Sequence, residues 1–228
     1  GPRINAAGRM DRPLDALDTL LTDCRRLAAE LASRLDRYNK ERQRFEMQIR
    51  REAMKQLEGT NAMLWLTVSG KTTDRQTVRV LQELADAARP HGVKIALYPH
   101  FGLYVATTED ALRLAKLADR QNLGVSINLC HELRSGNGAK LSEIVKAAAP
   151  HLFLVSINGA DNEGGWDKLI QTLDRGAFDL RPVLKQLKTV GYTGPVGLQC
   201  YNVKGDIREN LKRSMKAWNE LSGLLDPQ

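Results

Sequence analysis

Apolar residues along this chain keep two different rhythms. From Pro13 to Glu58 they recur every three or four positions: Leu14, Leu17, Leu20 and Leu21, then Leu27, Leu31, Leu35, Tyr38, Phe45, Ile49, Ala53 and Leu57. That spacing places them on one face of an α-helix. From residue 62 to 201 the pattern changes to short apolar runs, each followed by a turn and an amphipathic stretch. Runs without strict alternation suit strands of a parallel sheet buried on both faces.

In the first region Pro13 suits a first helical position, with Asp11 just ahead as a cap. Thr22-Asp23 resets the chain, and a second helix is expected from Cys24 to Glu58, free of Gly and Pro, with Gly59 as its stop. At ~1.5 Å per residue it spans roughly 50 Å. Its apolar seam, interrupted by Arg42, suits packing on a single other element: the preceding helix, the sheet or a partner chain.

In the second region the strands are read as Met63–Val68, Val93–Leu97, Gly124–Leu129, Leu152–Ile157 and Pro195–Cys200. The helices that follow them are read as Asp74–Arg89 capped by Thr73, Thr108–Asp119, Leu141–Ala149, Leu180–Val190 and Ile207–Leu221. Strands alternating with helices imply right-handed βαβ crossovers. The fold class is therefore α/β, a half TIM-barrel-like parallel sheet of five βα units preceded by a helical segment. The expected divisions are 1–58 and 59–228, the second packed with the N-terminal helices. Half a barrel leaves two raw sheet edges, so a homodimer or higher homo-oligomer is the expected assembly.

Composition changes this picture little. Apolar content is 42%, near the globular norm, in a chain of 228 residues. No apolar run is long enough for a membrane span, and no secretory leader is read at the start, so a cytoplasmic location is expected. Gly1-Pro2 without an initiator Met reads as a processing scar or as native sequence. Cys24, Cys130 and Cys200 are odd in number and lack metal-type spacing, which reads as reduced thiols. The net charge of +7 permits nucleic-acid contact, yet acids interleave with the bases, as in Lys40-Glu41-Arg42, and a solvated surface is the plainer reading.

In such folds reactive residues gather where strands end and loops begin. The polar residues there are Tyr98, His100, Asn128, His131, Glu132, Ser156, Asn158, Asp161, Gln199 and Tyr201. Within this set His131 with Glu132 is the candidate catalytic pair. His100, Asn128, Asn158, Gln199 and Tyr201 are the candidate substrate contacts.

Two resemblances sharpen the reading. The string Arg3-Ile4-Asn5-Ala6-Ala7-Gly8-Arg9, Leu20-Leu21-Thr22-Asp23 and Asn39-Lys40-Glu41-Arg42-Gln43 resemble, over residues 1–50, the segment after the catalytic domain of RecJ-type single-strand exonucleases. By that resemblance Arg3, Asn5 and Arg9 would face nucleotide phosphates; the metal-holding motifs of that family are absent, so nuclease activity is not expected. From Ala53 onward the chain resembles the sugar phosphate isomerase/epimerase family of xylose-isomerase-like TIM barrels. The resembling strings include Trp65-Leu66-Thr67-Val68, Ala96-Leu97-Tyr98-Pro99-His100-Phe101-Gly102, Asn128-Leu129-Cys130-His131 and Asp174-Arg175-Gly176-Ala177-Phe178-Asp179.

That likeness makes the five units the fourth to eighth of a barrel. It also implies a divalent metal held by acidic and histidine ligands at positions that here are Tyr98, Asn128, Ser156 and Gln199, none of them a strong ligand for a hard cation. No metal site and no cofactor are therefore assigned, with Mn²⁺ or Zn²⁺ relevant only if the isomerase likeness carries function.

The two resemblances meet inside one expected helix, near Arg50 to Ala53. The leading expectation is accordingly an artificial or recombined chimera with a structural role and no dedicated catalysis. The alternatives are a sugar phosphate isomerase/epimerase-like enzyme and weak single-stranded nucleic-acid binding through the first segment. Expected partners are a second copy of the chain and a sugar phosphate; nucleic acid and membrane are not.

Overall fold

A computed structural model describes residues 2–10 and 12–224. Asp11, expected to cap the helix at Pro13, lies outside the described residues, as does Gly1. The chain divides into two units, Gly1–Glu58 and Gly59–Gln228.

The first unit is helical: α1 (Pro2–Arg9), α2 (Pro13–Leu21) and α3 (Arg25–Leu57). The last follows the expected range closely. Helix α1 falls where the sequence pattern predicts no element. Its Ala6 and Ala7 are fully buried, and Ala7 joins Ala16 and Leu35 in a small core flanked by Ile4 and Tyr38. Tyr38 closes the cluster by donating to Asp15 at 2.6 Å, and Arg34 reaches the same carboxylate at 3.5 Å. The apolar seam of α3 is covered in its first half, at Leu31 and Leu35. Farther along, Phe45 and Ile49 are exposed and only Met54 is buried.

The second unit is a parallel sheet of β1 (Met63–Leu66), β2 (Lys94–Leu97), β3 (Leu123–Asn128), β4 (Leu152–Ile157) and β5 (Val196–Leu198), hydrogen-bonded in sequential order. The α/β reading as a half-barrel of five parallel strands is the architecture found. Between strands run α4 (Asp74–Ala88), α5 (Thr108–Ala118), α6 (Leu129–Arg134), α7 (Leu141–Ala148), α8 (Trp166–Leu169) and α9 (Arg181–Thr189), with α10 (Ile207–Ser222) after β5. Capping boxes start α4 at Thr73 with Gln76 and α5 at Thr107 with Asp110, each satisfying two terminal N–H groups. Every residue of β3 is buried, as a central parallel strand requires. Gly124 lets β3 approach β4: a Cβ there would stand 2.5 Å from the His151 carbonyl oxygen.

The core is aliphatic. Ile95, Leu97, Leu123, Val125, Ile127 and Val155 of the sheet are buried with Leu81, Leu114, Ile144, Leu184 and Leu187 of the helices. Pairing continues past the strand tips, where Tyr98 N–H donates to the Leu66 carbonyl at 2.7 Å and Gln199 N–H to the Ile157 carbonyl at 2.8 Å. Those bonds fix Tyr98 and Gln199 at the carboxyl end of the sheet. No described helix is long and apolar enough to cross a membrane.

Candidate functional site

A cavity of about 740 Å³ opens at that end of the sheet. Tyr98, His100, His131, Trp166, Asp167, Thr172, Arg175, Gln199, Tyr201 and Lys204 are among its walls. Trp65 on β1 stacks on Tyr98 with ring centroids 4.2 Å apart. Its indole N–H donates to Ser126 Oγ at 2.7 Å, and that hydroxyl donates to the Leu97 carbonyl at 2.9 Å. The tyrosine is thus held by strands on both sides.

The two histidines grip one residue. Phe101 N–H donates to His131 Nδ1 at 3.2 Å, so Nδ1 carries no proton and the neutral ring carries it on Nε2. That Nε2–H must therefore donate to the Tyr98 hydroxyl oxygen, 3.2 Å away. The tyrosine's own proton is left free for another acceptor. On the other side His100 Nδ1–H donates to the Phe101 carbonyl at 3.0 Å, which leaves His100 Nε2 with a lone pair. The backbone of Phe101 thereby specifies a matched set at the cavity: a phenolic O–H that donates and an imidazole nitrogen that accepts.

Burial keeps His131 and Tyr98 neutral. His131 is 4% exposed, and burial lowers its pKa to about 4, with His100 adding to the effect. The two imidazole rings lie 4.1 Å apart, so a charge on one opposes a charge on the other. Tyr98 is pushed above the usual phenol value by burial and by Cys130, against the amides of Asn128 and Gln199.

Not every residue expected at the site reaches it. Glu132, read as the partner of His131, is fully buried and turned away. It accepts from Thr108 N–H at 2.6 Å, Thr108 Oγ1–H at 2.8 Å and Asn137 Nδ2 at 2.7 Å. Because residues 129–134 form a helix, His131 and Glu132 project from adjacent positions in different directions. Burial raises the Glu132 pKa, and its hydrogen bonds to Asn137 and Thr108 oppose that rise. Its role is to tie α6 to the first turn of α5.

Asn128 and Asn158 are fully buried and absent from the cavity wall. Asn128 accepts from the Cys130 thiol at 3.3 Å. Asn158 donates to the carbonyls of Gly159 at 2.8 Å and Leu169 at 2.7 Å, stapling the loop after β4. His100, His131, Gln199 and Tyr201 do meet at the cavity. Gln199 Oε1 accepts from Tyr201 N–H at 3.0 Å. Trp166 and Asp167 join them from α8, and Thr172, Arg175 and Lys204 from loops, where no strand-end pattern marks a residue.

Arg3, Asn5 and Arg9 belong to the helical unit. Arg3 pairs with Asp36 at 2.6 Å and Arg9 with Glu46 at 3.7 Å. Asn5 and Arg9 border a small cavity with Arg42.

The residues present do not fit a divalent metal. Tyr98, Asn128, Ser156 and Gln199 offer a phenol held neutral, two amides and a hydroxyl. Both nitrogens of His131 are already bonded. Among the described residues no group of three or more His, Cys, Asp or Glu is placed to hold an ion. Divalent cations take several anionic oxygens or free imidazoles, and those four positions offer none.

Comparison with known proteins places this geometry. The sequence model of the Xylose isomerase-like TIM barrel family matches residues 11–221. The chain is 27% identical over 162 residues to an uncharacterized protein of Methanocaldococcus jannaschii, covering 69% of this chain and 54% of that protein. It is 30% identical over 134 residues to the inosose isomerase of Bacillus subtilis, covering 56% of this chain and 47% of that one. The chain spans about half the length of these curated relatives. Among solved structures, the D-psicose 3-epimerase of Clostridium cellulolyticum H10 superposes with a TM-score of 0.63 at 15% identity, over 78% of this chain and 70% of that chain. An IOLI protein with a zinc atom bound superposes with a TM-score of 0.63 at 22% identity, over 79% and 70%.

These findings overturn the chimera as the leading reading. One family model covers both sides of the supposed join at Arg50 to Ala53, and the named relatives are isomerases and epimerases rather than scaffolds without activity. The chain belongs to the xylose isomerase-like TIM barrel family.

Proposed function

We propose that the cavity binds a small polyhydroxylated carbonyl compound, of the sugar or inosose class, and that the protein is a sugar isomerase/epimerase-like enzyme acting without a divalent ion. The observation that carries this reading is the pair of oppositely disposed groups set by Phe101: the free Tyr98 O–H and the free His100 Nε2. Isomerisation and epimerisation next to a carbonyl need that pair. A base removes the proton from the carbon beside the carbonyl, and a donor stabilises the negative charge that develops on the carbonyl oxygen.

His100 Nε2 takes the proton, and Tyr98 hydrogen-bonds to the oxygen. Protonation of the resulting enediolate from solvent on its other face gives an epimer; return of the proton from His100 to the old carbonyl carbon, while the neighbouring hydroxyl passes its own proton to the old carbonyl oxygen, gives the isomer. This exchanges the roles read from the sequence, with His100 as base and His131 as the residue that aims Tyr98. Tyr98 and His100 are half-buried at the cavity, where a neutral donor counts for more than in bulk water.

The test is solvent deuterium exchange followed by proton NMR, with a panel of aldoses, ketoses and inososes in D₂O, with and without EDTA. The expected result is exchange at one carbon of at least one compound, indifferent to EDTA and at least about a hundredfold slower in His100→Gln. Exchange that stops on chelation, or that survives in His100→Gln, would rule the mechanism out.

A further inference from the structure

We propose that Arg175 and Lys204 form an anion subsite in this cavity, which anchors a phosphate or carboxylate carried by the polyol ligand. This deepens the sugar-site reading and rests on it. The argument starts from the loop after β4. Gln171 N–H donates to the Gly159 carbonyl at 2.8 Å, Arg175 N–H to the Thr172 carbonyl at 2.9 Å and Phe178 N–H to the Ala160 carbonyl at 2.8 Å. The strands of this loop approach so closely that a Cβ on Gly159 would lie 2.4 Å from the Arg175 carbonyl oxygen, and one on Gly176 2.0 Å from that of Ala160. Arg175 therefore leaves a rigid turn and lines the cavity.

Three carboxylates of that loop are committed elsewhere. Asp174 takes two bonds from Arg213, at 2.9 and 2.5 Å. Asp179 is held by Arg181, through Nε at 2.8 Å and Nη2 at 3.0 Å. Asp161 accepts from Ala177 N–H at 3.0 Å. Other arginines of the unit are paired, as Arg113 is with Asp74 and Asp110 and Arg120 with Asp86. Arg175 makes no side-chain ion pair among the described residues.

Lys204, on the loop after β5, lines the same cavity and, among the described residues, donates only to the neutral Asn202 amide, at 2.8 Å. Thr172, 4% exposed and on the same wall, gives its hydroxyl to Asp174, which helps hold that carboxyl below its usual range. Against two cations the cavity sets one carboxylate, Asp167, whose oxygens suit sugar hydroxyls. The balance is positive, and a planar guanidinium and an ammonium on one cavity are donors that an oxyanion with several acceptors takes up.

The experiment is isothermal titration of the full chain with D-glucose, D-glucose 6-phosphate, D-gluconate and inorganic phosphate, in the native protein, Arg175→Gln, Arg175→Lys and Lys204→Gln. Circular dichroism checks that each variant folds. The expected result is at least about tenfold tighter binding of an anionic sugar than of glucose, worth ~1.4 kcal/mol. That gap closes in Arg175→Gln, narrows in Lys204→Gln and is partly restored in Arg175→Lys. The phosphate and gluconate arms tell which oxyanion is preferred. Equal binding of charged and neutral sugars, unchanged in Arg175→Gln, overturns the subsite and leaves the sugar reading standing. Phosphate binding that depends on Arg175, without binding of any sugar, supports the subsite and overturns the sugar reading. Absence of binding by all four probes overturns both.

Discussion

The imidazole N–H of His131 donates to the hydroxyl oxygen of Tyr98 at 3.2 Å. The direction of that bond is forced from behind, because the other ring nitrogen already accepts a backbone N–H from Phe101. A chain of three donors thus runs from the backbone through the imidazole to the phenol and ends in the cavity.

The network requires His131 to stay neutral, which makes stability depend on pH. Its folded pKa, about 4, lies below the ordinary value of 6.5, so between those two pH values the unfolded chain binds the extra proton and the folded chain does not. Stability is therefore full above pH 6.5 and falls as pH drops toward 4, by about 3 kcal/mol at the most from this group. Glu132 acts in the opposite sense, since its raised pKa makes the folded state the better proton binder above the ordinary carboxylate range. Urea unfolding of the native protein and of His131→Gln across pH 4 to 7 separates the two. A flatter profile in the variant is expected; parallel profiles would show that His131 titrates normally.

Tyr98→Phe tests the donor itself. The ring still stacks on Trp65, so the wall of the cavity persists. What is lost is the O–H aimed at the ligand, and His131 Nε2–H is left without an acceptor. The expected outcome is a fall of about a hundredfold in carbon–hydrogen exchange, with sugar affinity changed less than about threefold. A loss of ~1–3 kcal/mol in unfolding free energy accompanies it, from the stranded donor. Exchange at the native rate would remove Tyr98 from the chemistry.

Glu132 should behave as a structural carboxylate. In Glu132→Gln one amide oxygen still serves Thr108, while the new N–H₂ meets Asn137 donor to donor. A cost of about 1 kcal/mol is expected, rising to about 3 kcal/mol or more in Glu132→Ala, where the buried Thr108 N–H loses its partner. Affinity for D-glucose 6-phosphate should stay within about twofold in Glu132→Gln. A large loss of affinity without a loss of stability would return Glu132 to the site.

The difference between Glu132 and His131 shows where sequence reading stops. Strand positions are legible because a short apolar run bounded by Gly and Pro suits little besides a buried strand, and β4 falls on the residues expected, Leu152–Ile157. Both helix starts at Thr73 and Thr107–Thr108 are marked by side chains that cap. The residues after β3 read as a loop carrying two reactive neighbours. They fold as a helical turn instead, because Leu129, Cys130 and Leu133 are buried there, and a helical turn separates adjacent side chains. Trp166, Arg175 and Lys204 carry no periodicity, since loop residues are placed by hydrogen bonds between distant segments. The short alanine-rich helix α1 escapes a reading of the pattern because its two buried alanines are too few to set one.

Gly176 is the position where the loop is least able to change. It holds a φ of +93°, and a Cβ there would overlap the Ala160 carbonyl at 2.0 Å. Gly176→Ala must therefore both strain the backbone and open the turn that presents Arg175. A loss of at least about 2 kcal/mol in unfolding free energy is expected, together with loss of the preference for anionic sugars. Gly191→Ala serves as control: its φ of +68° is also positive, yet nothing lies within 4 Å of its Cβ. A cost confined to backbone strain, about 1 kcal/mol, is expected there. Equal effects at the two sites would show that the close approach to Ala160 does not matter.

Trp166 forms the cavity wall opposite the strand ends, and Arg134 holds it there. The guanidinium lies over the rings of Phe101, at 5.3 Å, and Trp166, at 5.8 Å, and it donates to the Gly164 carbonyl at 2.8 Å. Trp166 in turn meets His131 edge-on at 5.2 Å. Arg134 is thus a positioning residue that joins α6 to the loop after β4 without lining the cavity. Removing it should leave the sheet intact, because the buried side chains of the sheet do not involve it. In Arg134→Ala the indole loses a cation–π contact of about 1 kcal/mol and the loop loses an anchor. Sugar affinity should weaken about three- to tenfold while exchange at saturating sugar is little changed, which separates positioning of the ligand from the chemical step. Arg134→Lys keeps the charge but not the planar stacking and should rescue less than half of the lost affinity. An equal fall in exchange at saturation would mean that Arg134 acts on Tyr98 and His100 through His131, rather than on the wall alone.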